Sequence, residues 1–220
     1  MTSSTPPTAP AATELASDAP LLTPRRTRLF AIVGGLLLVV AIATWFLMTA
    51  GKRKEAFAAR ALESARAVAE SGDIGTAVQQ FEQVATTYAG TDAGYEATIG
   101  IAQARLVAGQ AELAISSLEE FLASNPPERF RGPANGLLGT ALENTGKYAE
   151  AATAYRKASD LETVEYLKAV LLLDSGRAAR LAGDTAGATT AYQEVVDKYG
   201  ETPARSEAEV RLAELIATPA

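Results

Sequence analysis

A spacing of 37 residues governs this chain. A glycine recurs at it as Gly72, Gly109, Gly146 and Gly183, and an alanine follows each at Ala77, Ala114, Ala151 and Ala188. A large side chain comes next in every unit (Phe81, Leu118, Tyr155, Tyr192), then Val84, Phe121, Ala158 and Val195. A small residue leads each unit, at Ala65, Ala102, Gly139, Gly176 and once more at Ala213. So many agreements at one fixed spacing identify a repeat protein, whose units are copies of one supersecondary element.

Each unit predicts a helical hairpin. The leading small residue sits on a first helix, where its lack of bulk lets a second helix approach. The glycine ends that first helix, because only glycine takes the left-handed C-terminal geometry without steric cost. The alanine and the two residues after it fall on one face of the second helix. One hairpin cannot bury such a face alone, so the units stack into a solenoid. Four repeats are expected, at about 55–91, 94–127, 133–163 and 165–200, within a domain spanning 49–217. A lone helix over 204–217 restarts the register with Leu212-Ala213 and reads as the terminal cap. The segment PPERFRGP, residues 126–133, is the longest irregular stretch and the expected hinge, since proline cannot continue a helix. Residues 132–136 read as a turn into a helix.

Ahead of the repeats lie two further segments. Residues 1–28 are rich in Thr, Ser, Ala and Pro, with too little apolar surface to offset the entropy of ordering, and predict a disordered tail. Residues 29–48, LFAIVGGLLLVVAIATWFLM, are uncharged and flanked by Arg25, Arg26 and Arg28 on one side and by Lys52, Arg53 and Lys54 on the other. As a helix they would extend roughly 30 Å, the hydrocarbon thickness of a bilayer, so one N-terminal transmembrane helix is expected. Trp45 suits the interface. A cleaved signal peptide fits less well, because Met48-Thr49-Ala50 is a poor cleavage site followed at once by basic residues. Basic residues stand on both flanks, and Arg60 and Arg66 tilt the balance slightly towards a cytosolic solenoid; long domains, however, translocate largely regardless of charge.

Composition excludes most chemistry. The chain has no Cys and no His, which removes thiol chemistry, the commonest general base and the commonest metal ligand. No metal or cofactor is expected, and neither is an enzyme. The nearest carboxylate clusters, Glu119-Glu120 and Glu207 with Glu209, read as solvated helix faces. A formal net charge of -6 leaves no electrostatic footprint for nucleic acid.

The pattern resembles the tetratricopeptide repeat (TPR) family, best at Leu138-Gly139, Gly146, Tyr148, Ala151, Tyr155 and Ala158. The period is three residues longer than the family's usual 34, and the excess is expected between hairpins. The implied fold is all-α: a TPR-like α-solenoid of four hairpins and a capping helix behind one membrane helix. In such a solenoid the first helices line the concave face. Residues expected there are Arg66, Gln103, Leu106, Thr140, Glu143, Arg177 and Arg180, a mix that suits a peptide segment of a protein partner. TPR domains that grip the C-terminal carboxylates of cytosolic chaperones carry Lys then Asn four residues apart on the first helix. The pairs here are Leu62 and Arg66, Ile99 and Gln103, Gly136 and Thr140, and Leu173 and Arg177, and none matches.

A second echo joins Tyr88, Thr91, Ala93, Glu96 and Ala97 to Tyr199, Thr202, Ala204, Glu207 and Ala208, three periods apart. The segment around Tyr199 is similar to repeats of bacterial envelope TPR proteins. These include outer-membrane assembly lipoproteins, the cell-division coordinator of the Tol-Pal system and the ancillary subunit of the Sec translocon. The last shares the order of tail, membrane helix and small TPR domain. That resemblance implies a solenoid on the periplasmic side of the inner membrane, with translocon components, chaperones or envelope assembly factors as partners.

Overall fold

The computed structural model describes residues 24–217, the side chains of 24–31, 47, 49, 50 and 52 excepted. The N-terminal tail therefore lies outside the described residues up to position 23. Among the described residues the chain forms nine α-helices and no strand. They are α1 (Pro24–Glu70), α2 (Ile74–Thr87), α3 (Asp92–Val107), α4 (Ala111–Ala123), α5 (Glu128–Asn144), α6 (Tyr148–Leu161), α7 (Glu165–Leu181), α8 (Thr185–Lys198) and α9 (Ala204–Ala217).

The chain divides into two units, Met1–Ala50 and Gly51–Ala220, and α1 contributes to both. In the first unit, every described side chain from Ile32 to Phe46 is exposed. Among the described residues no helix is long and apolar enough to cross a membrane. Of the twenty residues 29–48 expected to do so, the side chains of 29–31 and 47 lie outside the described residues.

The second unit is the solenoid. Each helix from α2 to α8 packs on the next, and α8 packs on α9. First helices also meet directly, α3 on α5 and α7 on α9. The second helices start at 74, 111, 148 and 185, the sequence period without deviation. The turn inside each hairpin is three residues long, whereas the connections between hairpins run from three to five, so length variation is confined to the latter.

The turn inside the hairpin is what the glycine makes. Gly109, Gly146 and Gly183 hold φ of +72°, +76° and +83°. The amide of the following residue then reaches back to the helix: Gln110 N to Arg105 O at 2.8 Å, Lys147 N to Leu142 O at 2.9 Å and Asp184 N to Ala179 O at 2.9 Å. This pairs carbonyls that the helix end leaves unsatisfied. Gly72 has the same sign of φ, +88°, but the return bond is replaced by Ile74 N to Gly72 O.

The leading small residue is explained by what covers it. A Cβ on Gly139 would stand 2.7 Å from the Tyr155 ring, and one on Gly176 would stand 2.6 Å from the Tyr192 ring. Both tyrosines are buried. In the first repeat the leading residue is Ala65, buried in the same apolar cluster as Phe81, and the Phe81 ring also bears on Gly100 of the next hairpin, where an added Cβ would stand 2.9 Å from it. The apolar interior runs as three clusters. Leu62, Phe81 and Val84 anchor the first, Leu118, Phe121 and Tyr155 the second, and Leu172, Tyr192 and Val195 the third.

The hinge expected over residues 126–133 is not there. Helix α5 begins at Glu128 and contains Pro133, so residues 132–136 are helix interior rather than a turn. The reason is tertiary. Phe130 is buried with its ring 5.2 Å from that of Tyr95, and Arg129 stacks over Phe130 while pairing with Asp92. Arg131 Nε donates to Pro126 O at 2.7 Å. These contacts hold the first turns in place at the cost of the one bond that Pro133 cannot donate.

Candidate functional site

Ion pairs run along the face formed by successive first helices. Arg66 on α1 pairs with Glu96 on α3, Asp92 on α3 with Arg129 on α5, and Glu143 on α5 with Arg177 on α7. Further cross-repeat pairs join Lys147, in the turn before α6, to Glu112 on α4 at 3.1 Å and Arg156 on α6 to Glu194 on α8 at 2.6 Å. Largely exposed pairs contribute only about 0.2–1 kcal/mol each, so their clearer effect is on register between neighbouring hairpins.

The residues expected to meet a partner fall into two groups. Gln103, Thr140 and Arg180 are exposed on α3, α5 and α7, and Arg66 is exposed while held by Glu63 at 2.7 Å as well as by Glu96. Leu106 is half-buried against the central apolar cluster. Glu143 and Arg177 are half-buried and drawn into a network. The Tyr155 hydroxyl donates to Glu143 Oε2 at 3.1 Å and lies 3.2 Å from Thr140 Oγ1, while Arg177 pairs with both Glu143 and Asp174.

One cavity opens beside this network. It occupies about 300 Å³ among α7, α8 and the start of α9, with Leu173, Asp174, Tyr192, Glu207 and Arg211 in its walls and Tyr166 half-exposed at one side. Burial first, and then the like charge of Glu207, push the Asp174 carboxyl up to about 6, although Arg177 Nη2 lies 2.8 Å away. Arg211 is held by Glu207 at 3.3 Å and Glu214 at 3.2 Å. Tyr192 is 1 % exposed, and its hydroxyl is the buried polar side-chain atom that finds no hydrogen-bond partner among the described residues. Arg180 approaches that hydroxyl without meeting hydrogen-bond geometry; burial pushes the phenol pKa up and the nearby guanidiniums partly oppose it.

Sequence reasoning named neither Asp174 nor Arg211, took Tyr192 only as a packing residue of the repeat, and read Glu207 as part of a solvated helix face. A signal was present. Tyr192 is Tyr155 one period on, and the groups that serve the Tyr155 hydroxyl, Thr140 and Glu143, become Arg177 and Arg180. Arginine has no acceptor to offer. Among the described residues no group of three or more His, Cys, Asp or Glu side chains is placed to hold a metal ion.

A protein-family model described as tetratricopeptide repeat-like domain matches residues 39–172, and a second, described as tetratricopeptide repeat, matches residues 171–202. No curated protein matches the chain. Among solved structures, a crystal structure of nearly identical TPR-like repeats from Podosopora anserina is similar at a TM-score of 0.57 and 20% identity, covering 70% of this chain and 83% of that one. A single-substitution variant of that protein gives 0.56 and 19%, covering 70% and 82%. At that identity the likeness concerns the fold.

Proposed function

We propose, for a chain that belongs to the tetratricopeptide repeat-like domain family, a membrane-anchored scaffold that binds protein partners on its first-helix face. A TPR-like repeat scaffold is suited to protein–protein interaction, and such repeat proteins are generally non-enzymatic. What supports the reading is the direct packing of first helices, α3 on α5 and α7 on α9, together with the exposure of Gln103, Thr140 and Arg180 on α3, α5 and α7. Guanidinium, amide and hydroxyl groups at helical spacing suit an extended or helical peptide segment.

The anchor is residues 29–48. Its support is the uncharged run itself and the exposure of Ile32, Val33, Leu37 and Leu38, which at 100° per residue point to different sides of the helix. The likeness in layout to envelope TPR proteins favours a solenoid on the extracytoplasmic side of a bacterial inner membrane, beside translocon components, chaperones or outer-membrane assembly and cell-division factors. A second reading, a cytosol-facing adaptor, is favoured by Lys52-Arg53-Lys54 on the solenoid side.

One experiment separates them. Alkaline phosphatase, active only outside the cytosol, and a cytosolic reporter are each fused after Ala220 in a bacterial host. Active phosphatase with a silent cytosolic reporter supports the first reading, and the reverse result establishes the second. Photo-crosslinking from Gln103 and Thr140 in native membranes then tests the partner-binding face; adducts confined to other faces would refute it.

A further inference from the structure

Helix α9 keeps the register of the first helices but not their cover. Its Ala213 stands where Ala65, Ala102, Gly139 and Gly176 stand in the four hairpins; those four are buried and Ala213 is exposed. Val210 and Ile216 lie about 60° to either side of Ala213 around the helix. They are 56 % and 82 % exposed, whereas Leu173 and Ala179, their counterparts one period earlier, are 9 % and 6 % exposed. What covers those counterparts is α8, whose Ala188, Tyr192 and Val195 share one apolar cluster with them. A terminal cap is expected to turn a polar side outward. Helix α9 turns out Val210, Ala213, Ile216 and Ala217, interrupted by Ser206 and Glu209.

The row of second helices is open at the same place. Ala152, Thr153 and Arg156 of α6, Ala179 of α7 and Ala191 of α8 line one groove between neighbouring repeats. One period on, the α6 and α7 positions become Thr189, Thr190, Gln193 and Ile216. Thr189, Thr190 and Gln193 do line a shallow groove, of about 430 Å³, but its other described walls also come from α8. Lys147 with Glu112 and Arg156 with Glu194, each pair close to one period apart, show that neighbouring second helices run parallel. A helix laid beside α8 in the same sense would therefore cover Thr189, Gln193, Val210, Ala213 and Ile216 together.

Charge narrows the occupant. Residues 193–217 carry six carboxylates against three cations, and Arg156 of α6 reaches in as a fourth. Each of these cations is already bonded to a carboxylate. Asp197, which accepts from Gln193 Nε2 at 3.0 Å, and Glu201, in the connection before α9, have no ion-pair partner among the described residues. A second copy of this chain would bring the same excess of carboxylates against this side, whereas a basic helix would offset it. Parallel to α8, such a helix would set its last turn near Asp197, and a helix C-terminus is where cations are favoured.

We infer that the open side of α8 and α9 takes one helix of a partner protein, which completes a fifth hairpin. The four hairpins dictate its apolar side: a small residue, a large one four positions on and an apolar one three beyond that, as in Ala188, Tyr192 and Val195. Its last turn carries lysine or arginine. This site goes beyond the first-helix face, because it lies where second helices pack.

The test is fluorescence anisotropy of labelled peptides with the full-length chain in dodecyl maltoside. Each peptide has 14 residues based on α8, Thr185–Lys198, and is stapled, because so short a helix is marginal in water. The first has lysine at the positions of Glu194 and Asp197. The second has glutamate there and at the position of Lys198. The third keeps the lysines of the first and has serine at the positions of Tyr192 and Val195. The first should bind saturably, and the other two at least about tenfold more weakly.

In the chain, Val210→Ser combined with Ile216→Ser should weaken the first peptide at least about tenfold, and Asp197→Asn combined with Glu201→Gln about threefold. Neither pair should lower the thermal midpoint, since all four side chains are exposed. No binding of the first peptide, equal binding of the lysine and glutamate peptides, or indifference to the Val210 and Ile216 changes would overturn the inference. So would a chain that sediments as a dimer until Val210 and Ile216 are changed, because the occupant would then be a second copy. Crosslinks from Gln103 and Thr140 do not involve this side, so failure of the peptides with those crosslinks intact refutes this site alone.

Discussion

Gly136 and Gly139 sit one helical turn apart on α5, yet the same substitution should move stability in opposite directions. Alanine at 139 would put its Cβ 2.7 Å from the buried Tyr155 ring, and displacing that ring costs about 1–3 kcal/mol. The better helix propensity of alanine returns only about 0.5–1 kcal/mol. At 136 the nearest atom is 3.6 Å away, an ordinary contact, so the propensity gain stands unopposed. Chemical denaturation of Gly139→Ala and Gly136→Ala should therefore show a loss and a gain. The two tyrosines form a second pair. Tyr155→Phe removes satisfied hydrogen bonds and should cost about 0.5–1.5 kcal/mol, while Tyr192→Phe deletes an unpaired hydroxyl and should be neutral or stabilising by about 1 kcal/mol. Asp174 carries a pH signature. Its carboxyl is raised from 3.8 to about 6, so between those values the folded state holds a proton that the unfolded chain releases. Stability contributed by this group falls as pH rises through that window and is level above it. Asp174→Asn should thus gain about 1 kcal/mol at pH 7.5, after allowance for partial solvent exposure, and the gain should vanish near pH 4 in urea melts.

At the scale of the element, the second helices begin on one period but are not equally capped. Asp73 and Asp184 accept the amides of Thr76 at 3.1 Å and Gly187 at 2.8 Å, whereas their equivalents Gln110 and Lys147 make no side-chain cap bond. Asp184→Ala should destabilise by about 1 kcal/mol, and Gln110→Asp should stabilise by about 0.5–1 kcal/mol. Thermal melts of the two variants would check both signs. The connections between hairpins have their own device. At Tyr88 and at Tyr199 the chain turns so that the hydroxyls of Thr91 and Thr202 donate to the tyrosine carbonyls at 2.6 and 2.7 Å. That is the physical content of the echo three periods apart, and it marks the connections that lead into α3 and α9. Helix α5 enters differently, through Pro126-Pro127 and the burial of Phe130.

At the scale of the molecule, the proposed anchor and the proposed partner-binding face can each be broken separately. Val39→Arg lies mid-way along the apolar run and should cost about 2.5–3.5 kcal/mol on insertion scales. Under the proposed anchor it shifts the protein out of the membrane fraction; unchanged fractionation would contradict the anchor. The solenoid itself should tolerate this change, because the stability of stacked repeats is approximately a sum of local terms.

The sequence by itself determined the fold class, the positions of the hairpin turns and the small residues under the aromatic rings. Each of these is a local steric demand repeated at one spacing, as at Gly146 with its positive φ and Gly139 beneath Tyr155. Only the tertiary structure decided which charged groups remain available. Arg66, Glu143 and Arg177 are occupied by partners 30 or more residues away, and the start of α5 is set by Tyr95 on another helix. It also decided that the Tyr192 hydroxyl meets no hydrogen-bond partner among the described residues. Pairings between side chains on different repeats depend on distances across the stack, and nothing in a linear pattern measures those.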